Sequence, residues 1–165
     1  MLKAEIDRSQ PKELLYRDLA ASLAALLEGE TDALANLANA SALLSQSPER
    51  INWCGFYLQR AGELVLGPFQ GKPACVRIAV GKGVCGTAAA RCETILVPDV
   101  HAFPGHIACD PASRSEIAVP MVDGRRLRGI LDVDAPGPNR FDEADRQGLE
   151  MFVKVLLPRV AWERL

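Results

Sequence analysis

At 165 residues the chain has the length of one domain, and a domain of about 150 residues buries roughly 68–70% of its unfolded surface without needing disulfide bonds. Its 19 basic and 21 acidic residues leave a net charge of -2, which excludes the broad positive field that binds nucleic acids or anionic lipids. The N-terminal segment lacks an apolar signal core, and the run LAASLAALL is shorter than the roughly 20 residues of a membrane helix. We therefore expect a single soluble domain, 1–165, in the cytoplasm.

The five cysteines form an odd set without regular short spacing. A secreted framework of disulfide bonds is therefore a poor interpretation. In a reducing compartment the cysteines are packed thiols, metal ligands or reactive groups.

Two amphipathic helices are predicted in the first part of the chain, 1–48. The first begins after Pro11 and stops at Gly29, and the second runs from Asp32 to about Ser45 with Thr31 as its N-cap. Both are predicted to pack against a core or to form a dimer contact. The residues with helical spacing are Leu15, Leu19, Leu23, Leu26 and Leu27 in the first helix and Leu34, Leu37, Ser41 and Leu44 in the second.

The predicted sheet, 50–135, opens with a hairpin of INWCGFYLQ and LVLGPF around the turn RAGE. Strand alternation puts Trp53 and Tyr57 on one face, and Cys54 and Phe56 on the other. The Trp and Tyr pair can form an aromatic wall for a methyl group or an ammonium, or it can be ordinary core. Cys54 is expected to be an inert buried thiol.

The next strand, VRIAV, leads into the loop GKGVCGTAAAR, which matches the G-x-G-x-x-G pattern of dinucleotide-binding folds. We reject that interpretation because the chain continues as hairpins and not as a second βαβ half. A glycine-rich turn at a helix N-terminus can still bind an anionic group such as a carboxylate, and we expect it to lower the pKa of Cys85.

A long loop, HAFPGHIACDPASRS, follows the short strand ETILVPDV, and loops of this length are usually functional. A zinc site built from Cys92, His101, His106 and Cys109 is conceivable, but the spacing of these residues supports no known zinc motif. The alternative is that both histidines hydrogen-bond to the backbone. We therefore predict no metal.

The last predicted hairpin joins EIAVPMV to RGILDVDA through a D-G turn. Alternation places Asp132 and Asp134 on one face, where neighbouring like charges raise the pKa of both, so that one carboxyl can stay protonated. The alternative is a strand end that reaches solvent. The closing helix, 141–165, is predicted to kink at Pro158. Its apolar face consists of Leu149, Phe152, Val153 and Leu156.

Six motifs, taken together, resemble the free methionine-(R)-sulfoxide reductase family of GAF domains. They are NWCGFYL, LVLGPFQGKPACVRI, VGKGVCGTAA, PDVHAFPGHIACD, SRSEIAVP and GILDVD. The resemblance runs from about Asn52 through the last helix. It implies an α+β fold in which N- and C-terminal helices pack on one face of a central antiparallel sheet and ligand loops cover the other.

The resemblance also implies a reaction, the reduction of free L-methionine-(R)-S-oxide to L-methionine by thiols, without a cofactor. Cys109 matches the nucleophile that becomes a sulfenic acid, Cys75 the resolving thiol, and Cys85 a third thiol of the recycling step. Which of Cys75 and Cys85 does most of the resolving stays open. Thioredoxin is the implied reductant, and a homodimer through the terminal helices is implied by analogy.

The same resemblance assigns the substrate site. Trp53 and Tyr57 match the aromatic residues that wall the substrate, and Glu116, Asp132 and Asp134 match the carboxylates around it. The chemistry agrees, because a sulfoxide oxygen leaves only when protonated and a carboxyl kept neutral by its neighbours can supply that proton. Which acid donates the proton stays open.

Two other functions fit parts of the sequence. The first is a non-catalytic GAF domain that senses a small ligand, because fold alone does not decide function. A sensor requires an output element, and these 165 residues show no pattern for one. The second is a peroxide-sensing thiol switch, which would use the same cysteines without needing the aromatic and acidic residues.

Overall fold

The computed structural model describes residues 6–46, 48–107 and 110–165. The helices of these segments are α1 (Lys12–Leu26), α2 (Ala33–Ser45), α3 (Gly83–Arg91) and α4 (Glu143–Leu156). The strands are β1 (Trp53–Arg60), β2 (Glu63–Gln70), β3 (Arg77–Ala79), β4 (Ile95–Val97), β5 (Ser115–Asp123) and β6 (Arg126–Ala135). Short 3-10 turns cover Val100–Ala102, Leu157–Arg159 and Trp162–Arg164.

The six strands form one antiparallel sheet in the order β3-β2-β1-β6-β5-β4. The predicted hairpins, β1 with β2 and β5 with β6, are both confirmed. Because β1 pairs with β6, the two hairpins join at the centre of the sheet. Residues from distant parts of the chain therefore lie side by side there.

Helices α1, α2 and α4 cover one face of the sheet and form the larger core with Cys54, Phe56 and Leu58 of β1. The predicted α+β arrangement is confirmed. The predicted apolar face of the closing helix is also confirmed, since Leu149, Phe152, Val153 and Leu156 are all buried. Among the described residues, no helix combines the length and apolar character needed to cross a membrane.

The start of α2 differs from the prediction. Asp32, not Thr31, is the N-cap, and its side chain accepts a hydrogen bond from Ala35 N at 2.8 Å. Leu34 is 60% exposed, whereas Leu37 and Leu44 are buried. The helix face that meets the core includes the small residues Ala33, Ala40 and Ser41 beside these two leucines, and Leu34 lies outside it. The buried face of α2 consists of Ala33, Asn36, Leu37, Ala40, Ser41 and Leu44.

The end of α4 also differs from the prediction, because Pro158 does not kink a continuing helix. The helix ends at Leu156, and Pro158 lies in the following 3-10 turn. Proline has no backbone N–H to continue the helical hydrogen bonds, so the α-helix ends before Pro158 and the chain continues as a 3-10 turn.

A buried carboxylate connects the first and last helices. Asp145 is fully buried and accepts hydrogen bonds from Tyr16 Oη at 2.8 Å and from Arg140 Nη1 at 3.1 Å. Lys12 adds a second cation to this carboxylate. The helical face of the sheet is thus held by paired charges as well as by apolar packing.

The opposite face of the sheet carries α3 and the connecting loops. Their smaller apolar cluster includes Trp53, Tyr57, Val84, Cys85 and Ala88. The alternation predicted for β1 is therefore confirmed, because Trp53 and Tyr57 lie on the face opposite to Cys54. This second face holds the pocket.

Candidate active site

The central strands place an aromatic and two acidic side chains in one row. Trp53 on β1 lies opposite Asp134 on β6, and Asp134 lies opposite Glu116 on β5. Two residues away on β6, Asp132 lies opposite Gly55. Side chains two residues apart on a strand share a face, so all of these groups point to the α3 side of the sheet.

A pocket lies between this row, α3 and the neighbouring loops. It brings together six of the residues predicted for the site, namely Trp53, Tyr57, Cys85, Glu116, Asp132 and Asp134. Residues that were not predicted for a substrate site also line it, namely Lys82, His106, Ile107, Asp110 and Ser113. The residues predicted for the substrate site therefore line one pocket, together with Cys85.

One wall of the pocket is aromatic. The ring centroids of Trp53 and Tyr57 lie 6.0 Å apart, and the ring of Phe69 stacks on Trp53 at 5.3 Å. Gly55 permits this stack, because a Cβ at that position would lie 2.3 Å from Phe69 Cβ. This close approach explains why a glycine separates the two aromatic motif residues of β1.

Beside the aromatic wall, on the same face of the sheet, lies a group of acids with raised pKa values. Glu116 and Asp132 are each 6% exposed, and Asp134 is partly buried. Burial raises the pKa of Glu116, and the charge of Asp134 adds to it. Burial likewise raises the pKa of Asp132, with Glu116 adding to it, and the pKa of Asp134, with Asp132 and Asp110 adding to it. Carboxyl groups held this close do not all ionise, so the pocket retains protons.

Cys85 lies at the base of the pocket near the N-terminus of α3. Its Sγ donates to Glu116 Oε1 at 3.8 Å, and the side chain is buried. The expected lowering of its pKa is wrong. Burial raises the pKa of Cys85 well above its ordinary value, and Asp132 and Glu116 raise it further. The partial charge of a helix end contributes only about 0.3–2 kcal/mol, so burial among acids outweighs it.

We predict that Cys54 and Cys85 resist alkylation in the folded protein, whereas the exposed Cys92 reacts. Burial raises the pKa of Cys54 to about 12, so at pH 8 only about one thiol in 10⁴ is the reactive thiolate. Iodoacetamide labelling at pH 8, followed by peptide mass spectrometry, measures this order. Unfolded protein, in which all thiols react, is the control. Labelling of Cys85 as fast as Cys92 would show that the helix terminus dominates.

His106 was not predicted as a pocket residue. Its Nε2 lies 3.6 Å from Glu116 Oε2, and burial lowers its pKa. The imidazole therefore loses its proton at a lower pH than an exposed histidine, and it can exchange a proton with the Glu116 carboxyl beside it. Its position three residues before Cys109, in a loop rich in Gly and Pro, is the signal that could have identified it.

One group of side chains could hold a metal. Ligand atoms of Cys85, Glu116 and Asp132 lie within 4.8 Å of one another. Cys92, His101 and His106 do not gather in this way among the described residues, so the structure does not support the zinc alternative.

Sequence neighbours of the two remaining predicted thiols line the pocket. Cys75 is a half-buried free thiol, and its neighbour Ala74 lines the pocket. Cys109 lies outside the described residues. The described residues on either side of it in sequence, Ile107 and Asp110, both line the pocket.

The antiparallel sheet, with helices on one face and a pocket on the other, defines a GAF domain, and the sequence matches the GAF domain family over residues 16–156. Protein YtsP of Bacillus subtilis is 55% identical over 152 residues, covering 90% of this chain and 93% of that protein. The free methionine-R-sulfoxide reductase of Escherichia coli is 54% identical over 145 residues, covering 88% of this chain and 88% of that protein. The chain therefore belongs to the free methionine-R-sulfoxide reductase family.

A solved structure supports the same assignment. The free methionine-R-sulfoxide reductase from Neisseria meningitidis, in complex with its substrate, superposes with a TM-score of 0.93 at 42% identity. The match covers 99% of this chain and 98% of that chain. The predicted fold and family are confirmed.

Proposed function

We propose that this protein reduces free L-methionine-(R)-S-oxide to L-methionine with its own thiols. The observation that supports this most strongly is the pocket itself, in which an aromatic wall lies beside three acids that do not all ionise. The relatives from E. coli and N. meningitidis carry the name of this activity. A sensor of an arbitrary ligand would not require this combination of groups.

The pocket offers a partner for each part of a free amino acid. Asp132 Oδ1 is buried without a hydrogen-bond partner among the described residues, and such an unpaired group costs about 1–3 kcal/mol until a ligand donor satisfies it. The substrate ammonium is a suitable donor. The backbone N–H groups at the start of α3 and the Lys82 ammonium can bind the substrate carboxylate. The aromatic wall of Trp53 and Tyr57 suits the S-methyl group.

The proposed reaction begins when the thiolate of Cys109 attacks the sulfoxide sulfur. A pocket carboxyl protonates the sulfoxide oxygen, which is transferred to Cys109 as methionine is released and a sulfenic acid forms. The thiol of Cys75 then attacks the sulfenic sulfur, so that an S–S bond forms, the S–O bond breaks and water leaves. A dithiol reductant, which we propose to be thioredoxin, reduces the disulfide and restores both thiols.

The cellular setting follows from this chemistry. A cycle that ends in a disulfide needs a compartment that reduces it again, so we propose the cytoplasm. We also propose that the whole chain, 1–165, acts as one domain, and that any homodimer would form through the terminal helices.

The function is tested by supplying the R and S epimers of free methionine sulfoxide separately, with a thioredoxin system, and measuring free methionine. We expect turnover of the R epimer and at least about 100-fold slower methionine release from the S epimer. The aromatic wall holds the S-methyl group in one position, so only one epimer presents its oxygen to the pocket carboxyl and its sulfur to the Cys109 thiol. Hydrogen peroxide in place of the sulfoxide tests the alternative thiol switch. Turnover of the S epimer alone, or of neither epimer, would refute the proposal.

A further inference from the structure

The segment 71–76 carries Cys75 from β2 towards β3 and is attached to the aromatic wall. Trp53 Nε1 donates to Lys72 O at 3.1 Å, and Tyr57 Oη donates to Cys75 O at 3.0 Å. The polar ends of the two wall residues therefore hold the backbone of this segment. These two hydrogen bonds attach the segment 71–76 to β1. They do not connect it to the segment that contains Cys109.

Asp110 provides that contact. It follows Cys109 directly in sequence, and its carboxylate accepts hydrogen bonds from Ala112 N at 2.9 Å and from Asn52 Nδ2 at 3.2 Å. Lys72 Nζ reaches the same carboxylate at 3.4 Å. The Asp110 side chain is 5% exposed and the Lys72 side chain 68% exposed. A lysine from one thiol segment is thus paired with a fixed carboxylate on the other.

We propose that Lys72 and Asp110 are positioning residues that bring the segments of Cys75 and Cys109 together for disulfide formation. This inference rests on the proposed function, in which the thiol of Cys75 attacks the sulfenic acid of Cys109 and water leaves. The rate of such an intramolecular step depends on the effective concentration of one sulfur at the other. The first step, attack on the sulfoxide, involves neither Cys75 nor Lys72, so removal of the lysine should leave it unchanged.

Lys72 is a suitable residue for the test because its substitution should have little effect on folding stability and substrate binding. The Lys72 side chain is largely exposed, and without it the Asp110 carboxylate keeps its hydrogen bonds from Ala112 N and Asn52 Nδ2, so we expect little loss of folding stability. Lys72 also does not line the pocket. A change at Lys72 therefore alters the relation between the two segments while leaving substrate binding intact. Asp110 also accepts hydrogen bonds from Asn52 and Ala112, so its substitution disturbs more contacts and is used only as a second variant.

The experiment is a single turnover in which reduced protein is mixed with a substoichiometric amount of methionine-R-sulfoxide. Methionine is measured at each time, and mass spectrometry of dimedone-quenched samples gives the fractions of sulfenic acid and disulfide. For Lys72→Ala we expect methionine release within about twofold of the unaltered protein and disulfide formation about threefold to tenfold slower. Lys72→Arg should restore the rate to within about twofold.

Salt gives a second readout that a purely structural role would not change. At 1 M salt the Debye length falls to about 3 Å, which screens the attraction between the exposed Lys72 ammonium and Asp110. Disulfide formation in the unaltered protein should therefore slow towards the Lys72→Ala rate, while the Lys72→Ala variant stays unchanged. Arg77→Ala is the matched control, because Arg77 is an exposed cation close to Cys75 in sequence that pairs with Glu63 instead. Its rate should equal that of the unaltered protein.

Asp110→Asn should slow the same step, and combination with Lys72→Ala should add nothing, since each change breaks the same pair. Disulfide formation in Lys72→Ala at the unaltered rate, or equal slowing by Arg77→Ala, would overturn the inference. Loss of the methionine burst in the unaltered protein would instead refute the proposed function, so the two failures can be told apart.

Discussion

Replacing Cys109 by serine is expected to abolish methionine release, even in a single turnover, with a loss of about 10³-fold or more. A serine hydroxyl at this position lacks the low pKa and the soft sulfur that attack on a sulfoxide requires. Cys75→Ser should behave differently, because it removes only the resolving thiol. We expect about one equivalent of methionine per chain, followed by a stall with Cys109 held as a sulfenic acid that dimedone traps. Quantified methionine and the mass of the trapped protein measure both outcomes.

Cys85 tests the choice of resolving thiol. It is buried, its pKa is raised, and its Sγ contacts Glu116, whereas Cys75 is half-buried. A thiol that stays protonated is a poor attacking group, so the Cys85→Ser variant should release more than one equivalent of methionine per chain. Cys92→Ser is the matched control, since Cys92 is exposed at the end of α3 and should keep full activity. Stoichiometric methionine from Cys109→Ser would show that the nucleophile is another residue.

The sequence predicts well which strand residues of the site share a face of the sheet. Alternation alone separates Trp53 and Tyr57 from Cys54, and it places Asp132 with Asp134. The side-chain period of a strand is local geometry, so it needs no knowledge of the fold. Glu116 joins this group only through the pairing of β5 with β6, and that pairing follows from the D-G hairpin turn.

Properties that depend on tertiary burial are harder to predict. The sequence around Cys85 shows a helix N-terminus, which lowers a thiol pKa, but it does not show that the sulfur is packed among carboxyl groups. The wrong expectation for Leu34 has a similar cause, because helical spacing does not reveal that small residues of α2 meet the core. His106 was missed because a loop carries no periodicity that would place its side chain in a pocket.

The acids divide into two roles on the basis of their contacts. Glu116 lies between Cys85 Sγ, at 3.8 Å, and His106 Nε2, at 3.6 Å, so it is connected to groups that can exchange a proton. Asp132 has an unpaired buried oxygen and suits the substrate ammonium. We therefore expect Glu116 to protonate the sulfoxide oxygen and Asp132 to bind the amino group.

Glu116→Gln should lower kcat/KM by about 10² to 10⁴-fold, the usual contribution of a general acid. An acid catalyst must be protonated, and burial raises the pKa of Glu116, so activity should persist above the range of an ordinary carboxyl and fall as pH rises through the raised pKa. The glutamine variant has no proton to lose, so its residual rate should lack that fall. Stopped-time methionine assays across pH, with saturating reductant, measure both profiles.

Asp132→Asn provides the contrast, because loss of an ammonium partner weakens substrate binding in the ground state and the transition state alike. Its KM should rise about 10-fold or more while kcat changes less and the fall at high pH is retained. Glu143→Gln on α4 is the control for loss of one negative charge, since this residue is largely exposed and away from the pocket. If the fall at high pH persists in Glu116→Gln and disappears in Asp134→Asn, the proton comes from Asp134. Asp134, at the centre of the row and next to Trp53, would then be the proton donor, and its burial together with Asp132 and Asp110 would keep its carboxyl protonated.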